Sequence, residues 1–256
     1  MPQDAIRTDK LTKTFDRAVA VDALDLTVNR GEVFGFLGPN GAGKSTTIRM
    51  LIGLLRPTSG SAVVASFDVA KQPLEVKRRV GYMAENPYAY DKLTGREFLS
   101  FVGDLYQVPK NEVTERGTSL MKLLDLFDDA DKIVEGYSRG MRQKLGLIAA
   151  LIHEPDVLFL DEPTSGLDPR SARTVKDLLT ELAHRGKTVF MSTHVLEIAE
   201  HMCDRVGIIN HGQLVALGSL AQLRAHGRAD ASLEDIFLEL TGGEDTAELT
   251  KFLAES

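Results

Sequence analysis

Residues 31–46 read GEVFGFLGPNGAGKST. The first half is a short apolar run bounded by glycines, which is typical of a buried strand in a parallel sheet. The second half, Gly38–Ser45, matches the pattern G-x-x-x-x-G-K-[ST], and a helical pattern follows from Lys44 to Leu55. A glycine-rich loop between a strand and a helix brings main-chain N–H groups and the positive end of a helix dipole close to an anion. The stretch therefore predicts a loop that binds the phosphates of a nucleoside triphosphate.

The polar residues of this loop have separate predicted contacts. Lys44 supplies a full positive charge for the β- and γ-phosphates, and we count it among the candidate catalytic residues. The Ser45 hydroxyl is predicted to ligate Mg²⁺, and Thr46 to bind the α-phosphate side. The predicted nucleotide-binding residues of the loop are Gly38, Pro39, Asn40, Gly41, Ala42, Gly43, Lys44, Ser45 and Thr46.

A second apolar run, Val157–Leu160, ends in two adjacent carboxylates, Asp161 and Glu162. Successive side chains of a strand point to opposite faces, so one carboxylate can hold Mg²⁺ through water while the other turns toward the γ-phosphate. An acidic pair that caps a helix on a surface turn is the alternative. Beside a phosphate-binding loop, the pair favours a metal-dependent nucleotide site with Asp161 as a metal ligand.

Composition argues against several classes of protein. The chain has 256 residues, of which 43% are hydrophobic, enough for a sizeable core. Lys and Arg number 30 against 37 Asp and Glu, and no segment concentrates the basic residues, so we expect no nucleic-acid partner. No run approaches the roughly 18 apolar residues of a membrane span, and the charged first ten residues do not read as a secretory signal.

The pattern along the chain predicts one α/β domain, because short apolar runs alternate with helical patterns. From residue 86 to residue 156 the apolar positions follow a helical period instead, which indicates a helical subdomain inserted into the core. The predicted parts are an α/β core (1–85 and 157–220), the helical subdomain (86–156) and a C-terminal helical tail (221–256).

Five motifs, read in order, resemble those of the nucleotide-binding subunit of an ABC transporter. They are Gly38–Ser45, Tyr137–Gln143 (YSRGMRQ), Leu160–Pro163 (LDEP), Ser165–Asp168 (SGLD) and Ser192–His194 (STH). The resemblance extends over nearly the whole chain, from Leu11 to about Gly218. It implies a P-loop NTPase core with a mostly parallel sheet, an antiparallel β subdomain and an inserted helical subdomain. It also implies ATP and Mg²⁺ as cofactors.

The resemblance assigns roles to single residues around the nucleotide. Glu162 resembles the general base that polarises the attacking water. His194 resembles the switch histidine that contacts the γ-phosphate, although a lone histidine is more often structural. Phe15 stands where this family places an aromatic ring that stacks on adenine, and a phenylalanine of the core is the alternative.

Three further residues resemble groups that act on the nucleotide of an opposite subunit. Ser138 and Gly140 match the signature segment, which closes over that nucleotide from a helix N-terminus. Asp168 resembles the residue that links the two sites. The implied assembly is a homodimer, or a pair with a related cassette, that holds two ATP molecules at its interface.

Two positions depart from the family pattern. The signature commonly reads LSGGQ, whereas Tyr137–Met141 reads YSRGM, so Arg139 replaces a glycine. Glu85 stands where the family usually has a glutamine that senses Mg²⁺ and couples to the membrane subunit. A carboxylate can still ligate Mg²⁺ but repels phosphate, and we predict Glu85 as a third metal ligand.

Both departures, together with Ser232–Phe237, resemble the branch that exports drugs, polysaccharides or lipids through separate membrane subunits. An ordinary amphipathic helix is the alternative for that segment. We therefore predict a Mg²⁺-dependent ATPase that powers export with integral membrane permease subunits, at the cytoplasmic face of the cell membrane. A soluble ABC ATPase of DNA repair or translation, and a module that binds ATP without hydrolysing it, are the other two hypotheses.

Overall fold

The computed structural model describes residues 4–16, 18–225 and 232–242. Its strands are β1 (Asp4–Phe15), β2 (Ala18–Leu24), β3 (Thr27–Asn29), β4 (Val33–Leu37), β5 (Ser59–Val64), β6 (Phe67–Asp68), β7 (Val80–Met83), β8 (Val157–Asp161), β9 (Thr188–Thr193), β10 (Arg205–Asn210) and β11 (Gln213–Gly218). Its α-helices are α1 (Lys44–Leu51), α2 (Pro73–Arg79), α3 (Gly95–Leu105), α4 (Lys110–Leu123), α5 (Arg139–Leu151), α6 (Pro169–His184), α7 (Leu196–Met202), α8 (Leu220–Ala225) and α9 (Leu233–Thr241).

The larger sheet has the strand order β11-β10-β4-β9-β8-β7. Its strands from β10 to β7 pair in parallel, and the edge strand β11 pairs antiparallel with β10. All residues of β4, β8 and β9 are buried, as expected for parallel strands covered on both faces. The predicted mostly parallel sheet is confirmed.

The smaller sheet is antiparallel and covers one face of the larger one. Within it, β1 pairs with β2, β3 and β5, and β6 pairs with β5. Ile6 of this sheet, Phe36 of β4 and Ile48 of α1 belong to one buried apolar cluster. The predicted antiparallel β subdomain is therefore confirmed.

An aromatic layer lies at the centre of this cluster. The ring centroid of Phe190 is 5.5 Å from that of Phe34, 5.3 Å from Phe36 and 5.4 Å from Phe159. The strand neighbour Met191 belongs to a second cluster on the opposite face, because strand side chains alternate. The sheet is thus buried between two separate apolar cores.

Between β7 and β8 the chain forms α3, α4, α5 and two short 3-10 turns. Helix α3 begins with a capping box, in which Thr94 and Glu97 each accept a hydrogen bond from the other's main-chain N–H. Phe98, Met121 and Ile148, one from each helix, belong to the second apolar cluster. The inserted helical subdomain is confirmed as part of the fold, and its boundaries at 86 and 156 stay a prediction.

Some element ends differ from the prediction. Helix α1 ends at Leu51 rather than Leu55, because Gly53 adopts a left-handed φ of 68° that a helix cannot continue through. The predicted helical tail contains α8 and α9, and its residues 226–231 and 243–256 lie outside the described residues. Within the described part of the chain, none of the helices is both long enough and apolar enough to cross a membrane.

His153, just beyond α5, is packed against the helical segment and the large sheet. Its ring stacks on Tyr106 with centroids 3.7 Å apart, and its Nε2 lies 3.0 Å from the carbonyl oxygen of Val80. Its Nδ1 is buried and has no hydrogen-bond partner among the described residues. Burial lowers the pKa of His153, since a second ring proton would have no acceptor.

We therefore expect acid to destabilise the fold through His153. The neutral ring's contribution to the free energy of unfolding is complete above the unfolded-state pKa of about 6.5 and is lost as the pH falls below it. His153→Phe keeps the stacking and removes the titration, so its stability should fall less between about pH 8 and about pH 5.5. Urea unfolding at both pH values measures the difference, and equal losses in variant and wild type would contradict it.

The loop before α1 gives a second expectation. Gly43 has φ 109°, and a Cβ there would lie 2.4 Å from the carbonyl oxygen of Ala20, whereas at Gly41, with φ 81°, a Cβ would meet nothing within 4 Å. Gly41→Ala should cost about 1–2 kcal/mol of unfolding free energy through backbone strain alone. Gly43→Ala should cost more, because the Ala20 carbonyl must move. Urea unfolding compares the two, and equal costs would contradict the packing argument.

Candidate nucleotide-binding site

The site forms where β4, β9 and β8 end at the same edge of the sheet. In the parallel register, Leu37 is paired with Thr193, and Asp161 is paired with Ser192. The glycine-rich loop that follows β4 and the two carboxylates at the end of β8 therefore lie on either side of the end of β9. Segments more than 100 residues apart in sequence converge here.

Lys44 lies inside the curve of its own loop. Its Nζ donates hydrogen bonds to the carbonyl oxygens of Gly38 (2.6 Å) and Pro39 (3.1 Å). Burial lowers the pKa of Lys44, and the negative charges of nearby carboxylates, Glu162 foremost, oppose that shift. The ammonium group thus lies between main-chain carbonyls and acidic side chains, within the loop predicted to hold phosphates.

The Asp161 carboxylate is fixed by two hydroxyl groups. Ser45 Oγ donates to Asp161 Oδ2 at 2.9 Å, and Ser192 Oγ donates to Asp161 Oδ1. The Ser45 hydroxyl and the Asp161 carboxylate are oxygen donors of the kind that Mg²⁺ prefers. Their direct contact fits the prediction that both residues hold one metal ion.

Both oxygens of the buried Glu162 carboxylate accept hydrogen bonds from the end of β9. Oε1 lies 2.8 Å from the main-chain nitrogen of His194 and 2.7 Å from its Nδ1, and Oε2 lies 3.1 Å from Thr193 Oγ1. The His194 side chain is 64% exposed, whereas that of Glu162 is 8% exposed. The carboxylate is therefore held in one orientation beside a ring that solvent reaches.

These groups line one cavity of about 270 Å³. Glu85 reaches it from the segment after β7. The lining residues are Ala20, Asn40, Gly41, Gly43, Lys44, Ser45, Thr46, Glu85, Asp161, Glu162 and His194. The structure thus brings together all the candidate metal ligands and catalytic residues, along with four further residues of the predicted phosphate loop, whereas Gly38, Pro39 and Ala42 do not line the cavity.

Phe15 lies at the end of β1 and does not line the cavity. It is 46% exposed, which excludes the alternative that it belongs to the core. Lys13 Nζ lies 5.1 Å from its ring centroid, a cation–π contact. Phe15 pairs with Ala18 of β2, the strand that also supplies Ala20 to the cavity wall. The ring is therefore on the hairpin that borders the cavity.

The residues predicted to act on an opposite subunit lie at two helix N-termini. Ser138 caps α5 by accepting a hydrogen bond from the Met141 N–H, and Gly140 is in the first turn of that helix. Asp168 caps α6, and hydrogen bonds from Ser171 lower the pKa of Asp168. None of these predicted residues lines the cavity of its own chain.

Three residues of the site carry no role in the prediction: Ser192, Thr193 and Gln143. Ser192 and Thr193 directly precede His194 at the end of a buried strand. Hydroxyl side chains at such a strand end are the sequence signal for hydrogen bonds to the carboxylates of the neighbouring strand. Gln143 is 1% exposed on a largely apolar face of α5, and its Nε2 donates to the Glu162 carbonyl oxygen at 2.9 Å. A glutamine on a helix face that is otherwise largely apolar is the sequence signal for a buried hydrogen bond.

Comparison with known proteins agrees with this geometry. The family model described as ABC transporter matches residues 21–165. The chain is 43% identical over 224 residues to the daunorubicin/doxorubicin resistance ATP-binding protein DrrA of Streptomyces peucetius, covering 88% of this chain and 68% of that protein. It is 42% identical over 248 residues to a fluoroquinolones export ATP-binding protein of Mycobacterium tuberculosis, covering 96% and 80%.

Among solved structures, an ATP binding subunit of an ABC transporter has a TM-score of 0.88 and 31% identity, covering 92% of this chain and 99% of that chain. The family model spans more than half of the chain, and the structural match covers nearly all of it. The predicted resemblance and fold class are confirmed. The chain belongs to the ABC transporter family and is one of its ATP-binding proteins.

Proposed function

We propose that this chain is a Mg²⁺-dependent ATPase that powers an exporter through separate membrane subunits. The convergence of Lys44, Asp161 and Glu162 on one cavity is the observation that carries the proposal. A cation for the phosphates, a metal ligand and a base for the nucleophile are the parts that phosphoryl transfer requires. Relatives named for drug resistance and for fluoroquinolone export support the direction of transport.

The glycine-rich loop binds the triphosphate in this proposal. Its main-chain N–H groups and the N-terminus of α1 contact the phosphate oxygens, and Lys44 exchanges its carbonyl partners for the β- and γ-phosphates. Thr46 lies beside the α-phosphate. The exposed ring of Phe15 stacks on adenine from the β1–β2 hairpin.

Ser45 and Asp161 would hold Mg²⁺ in the proposal, since their side-chain oxygens lie in direct contact. Glu85 is the proposed third ligand, because its carboxylate lies in the same cavity wall. When bound, the ion neutralises charge on the β- and γ-phosphate oxygens during transfer. The Ser192 hydroxyl keeps the Asp161 carboxylate directed toward Ser45.

Glu162 accepts the proton of the attacking water in this mechanism. Thr193 and the main-chain N–H of His194 hold its two carboxylate oxygens, so the base keeps one orientation through the reaction. His194 Nδ1 also contacts this carboxylate. In the proposal the doubly protonated ring of His194 donates through Nδ1 to Glu162 and through Nε2 to the γ-phosphate.

Two copies complete each other's sites in the proposed assembly. In the proposal Ser138, Gly140 and Asp168, which do not line the cavity of their own chain, serve the nucleotide held by a partner. ATP then joins the pair, and hydrolysis releases it. The partner is a second copy of this chain or a related cassette.

Glu162→Gln tests the proposed mechanism. The amide preserves size but accepts a proton poorly, so ATP should still bind while kcat falls by about 10²- to 10⁴-fold. Size-exclusion chromatography with ATP should show an accumulated dimer. Glu181→Gln, at an exposed ion pair with Arg185, is the matched control and should turn over normally. Normal turnover by Glu162→Gln would refute the assigned role of Glu162 as the base and would leave the ATPase activity itself in place.

An apolar groove adjoins the nucleotide cavity and is the proposed docking site of the membrane subunit. It has a volume of about 450 Å³ and is lined from α3, α5, β7 and the segments after α1 and β7, including Val102, Ala149 and the 81% exposed Tyr88. Lys77 of α2 also lines it. Met83 and Ala84 line this groove, while the next residue, Glu85, lines the nucleotide cavity. A segment docked in the groove therefore contacts the chain one peptide from the proposed metal site.

Ala149→Arg tests this docking site, because it places a charge in the apolar groove. Leu123→Arg, on an exposed position of α4, is the matched control. Each tagged variant is expressed in the native host and purified from gently solubilised membranes with ATP. Wild type and Leu123→Arg should recover a polytopic membrane protein that Ala149→Arg loses. Ribosomal or DNA-repair proteins in its place would refute the transporter role and favour the soluble alternative.

A further inference from the structure

The start of helix α5 contacts the turn that carries Glu162. Gln143 is almost completely buried, and its side-chain amide donates to the main-chain carbonyl oxygen of Glu162 at 2.9 Å. One helical turn earlier, on the same face, Arg139 Nη2 donates to Ser165 Oγ at 2.8 Å. Two side chains of one helix thus bind both ends of the turn from residue 162 to residue 165.

This contact acts on a main chain in an uncommon conformation. Glu162 has φ 52°, in the left-handed region that costs a non-glycine residue of order 1–3 kcal/mol unless its surroundings hold it there. The Glu162 N–H donates to the Ser192 carbonyl at 3.0 Å, and its carbonyl accepts from the Ser165 N–H at 3.1 Å as well as from Gln143. The peptide is thus held from β9, from its own turn and from α5.

The direction of the Glu162 carboxylate depends on this backbone. A left-handed residue directs its Cβ differently from an extended one, so relaxation of φ would swing the side chain away from Thr193 and His194. Those two residues fix the carboxylate end of Glu162, and Gln143 fixes the carbonyl end. Loss of the hydrogen bonds at either end would permit small displacements of the Glu162 carboxylate, and proton transfer is sensitive to such displacements.

We propose that Gln143 is a positioning residue for ATP hydrolysis, acting through the main-chain carbonyl of Glu162 to aim its carboxylate. The inference rests on the proposed role of Glu162 as the base. Since α5 begins at the signature segment, whose Ser138 serves the partner's nucleotide in the proposed pair, the same contact couples that nucleotide to the chain's own Glu162. A movement of α5 is passed to the base through one side-chain amide.

Gln143→Met removes the donor and keeps the length of the side chain. Compared with wild type, kcat should fall by at least about tenfold while the KM for ATP stays within about twofold, because only the base is displaced. Leu147→Met, buried one turn further along α5, is the control for packing and should keep both constants. Gln143→Glu is a second variant of nearly the same size, and should lose kcat in the same way.

Formation of the ATP-dependent dimer distinguishes a positioning role of Gln143 from a merely structural one. In the Glu162→Gln background, adding Gln143→Met should leave the ATP-dependent dimer intact, because the contact acts only on the base. Loss of that dimer, or full kcat in Gln143→Met and Gln143→Glu, would overturn the inference while Glu162 keeps its role. Normal turnover by Glu162→Gln alone would refute the role of Glu162 as the base and this inference with it, while the proposed ATPase function would stand.

Discussion

The parallel pairing of β4, β9 and β8 is the constraint on which the rest of the site depends. In this register, the end of β4, which leads into the glycine-rich loop, and the end of β8, which carries Asp161 and Glu162, lie on either side of the end of β9. A slip of one residue would turn every side chain of a strand to the opposite face. The aromatic contacts of Phe190 with three neighbouring rings oppose such a slip, because a close-packed layer tolerates little displacement.

Much of this arrangement can be predicted from the sequence, because its parts are local patterns. The phosphate-binding loop at residues 38–45 can be recognised from a strand, glycines, a lysine and a helix that follow one another in the sequence. The carboxylates Asp161 and Glu162 can be predicted as site residues because they directly follow a buried apolar strand. Their convergence then follows from a general property of parallel sheets, in which the carboxyl ends of the strands share one edge.

Other features depend on tertiary packing and could not be predicted. Helical periodicity indicates which face of α5 is buried, but not that the amide of Gln143 meets a carbonyl oxygen 19 residues further along the chain. The exposure of Phe15 depends on how one antiparallel hairpin lies against the rest of the fold, so the sequence left two alternatives open. The early end of α1 has a local cause instead: Gly53 adopts a left-handed conformation, which helical periodicity alone does not reveal.

The nucleotide cavity and the apolar groove are lined by different parts of the fold. The nucleotide cavity is lined by the glycine-rich loop and by strand ends, whereas the apolar groove is lined by side chains of α3, α5 and β7 and of the segments that follow α1 and β7. Helix side chains can be exchanged with little change to the sheet, but a strand end cannot. The helix side chains that line the groove can therefore diverge through evolution while the strand ends that form the nucleotide cavity are kept.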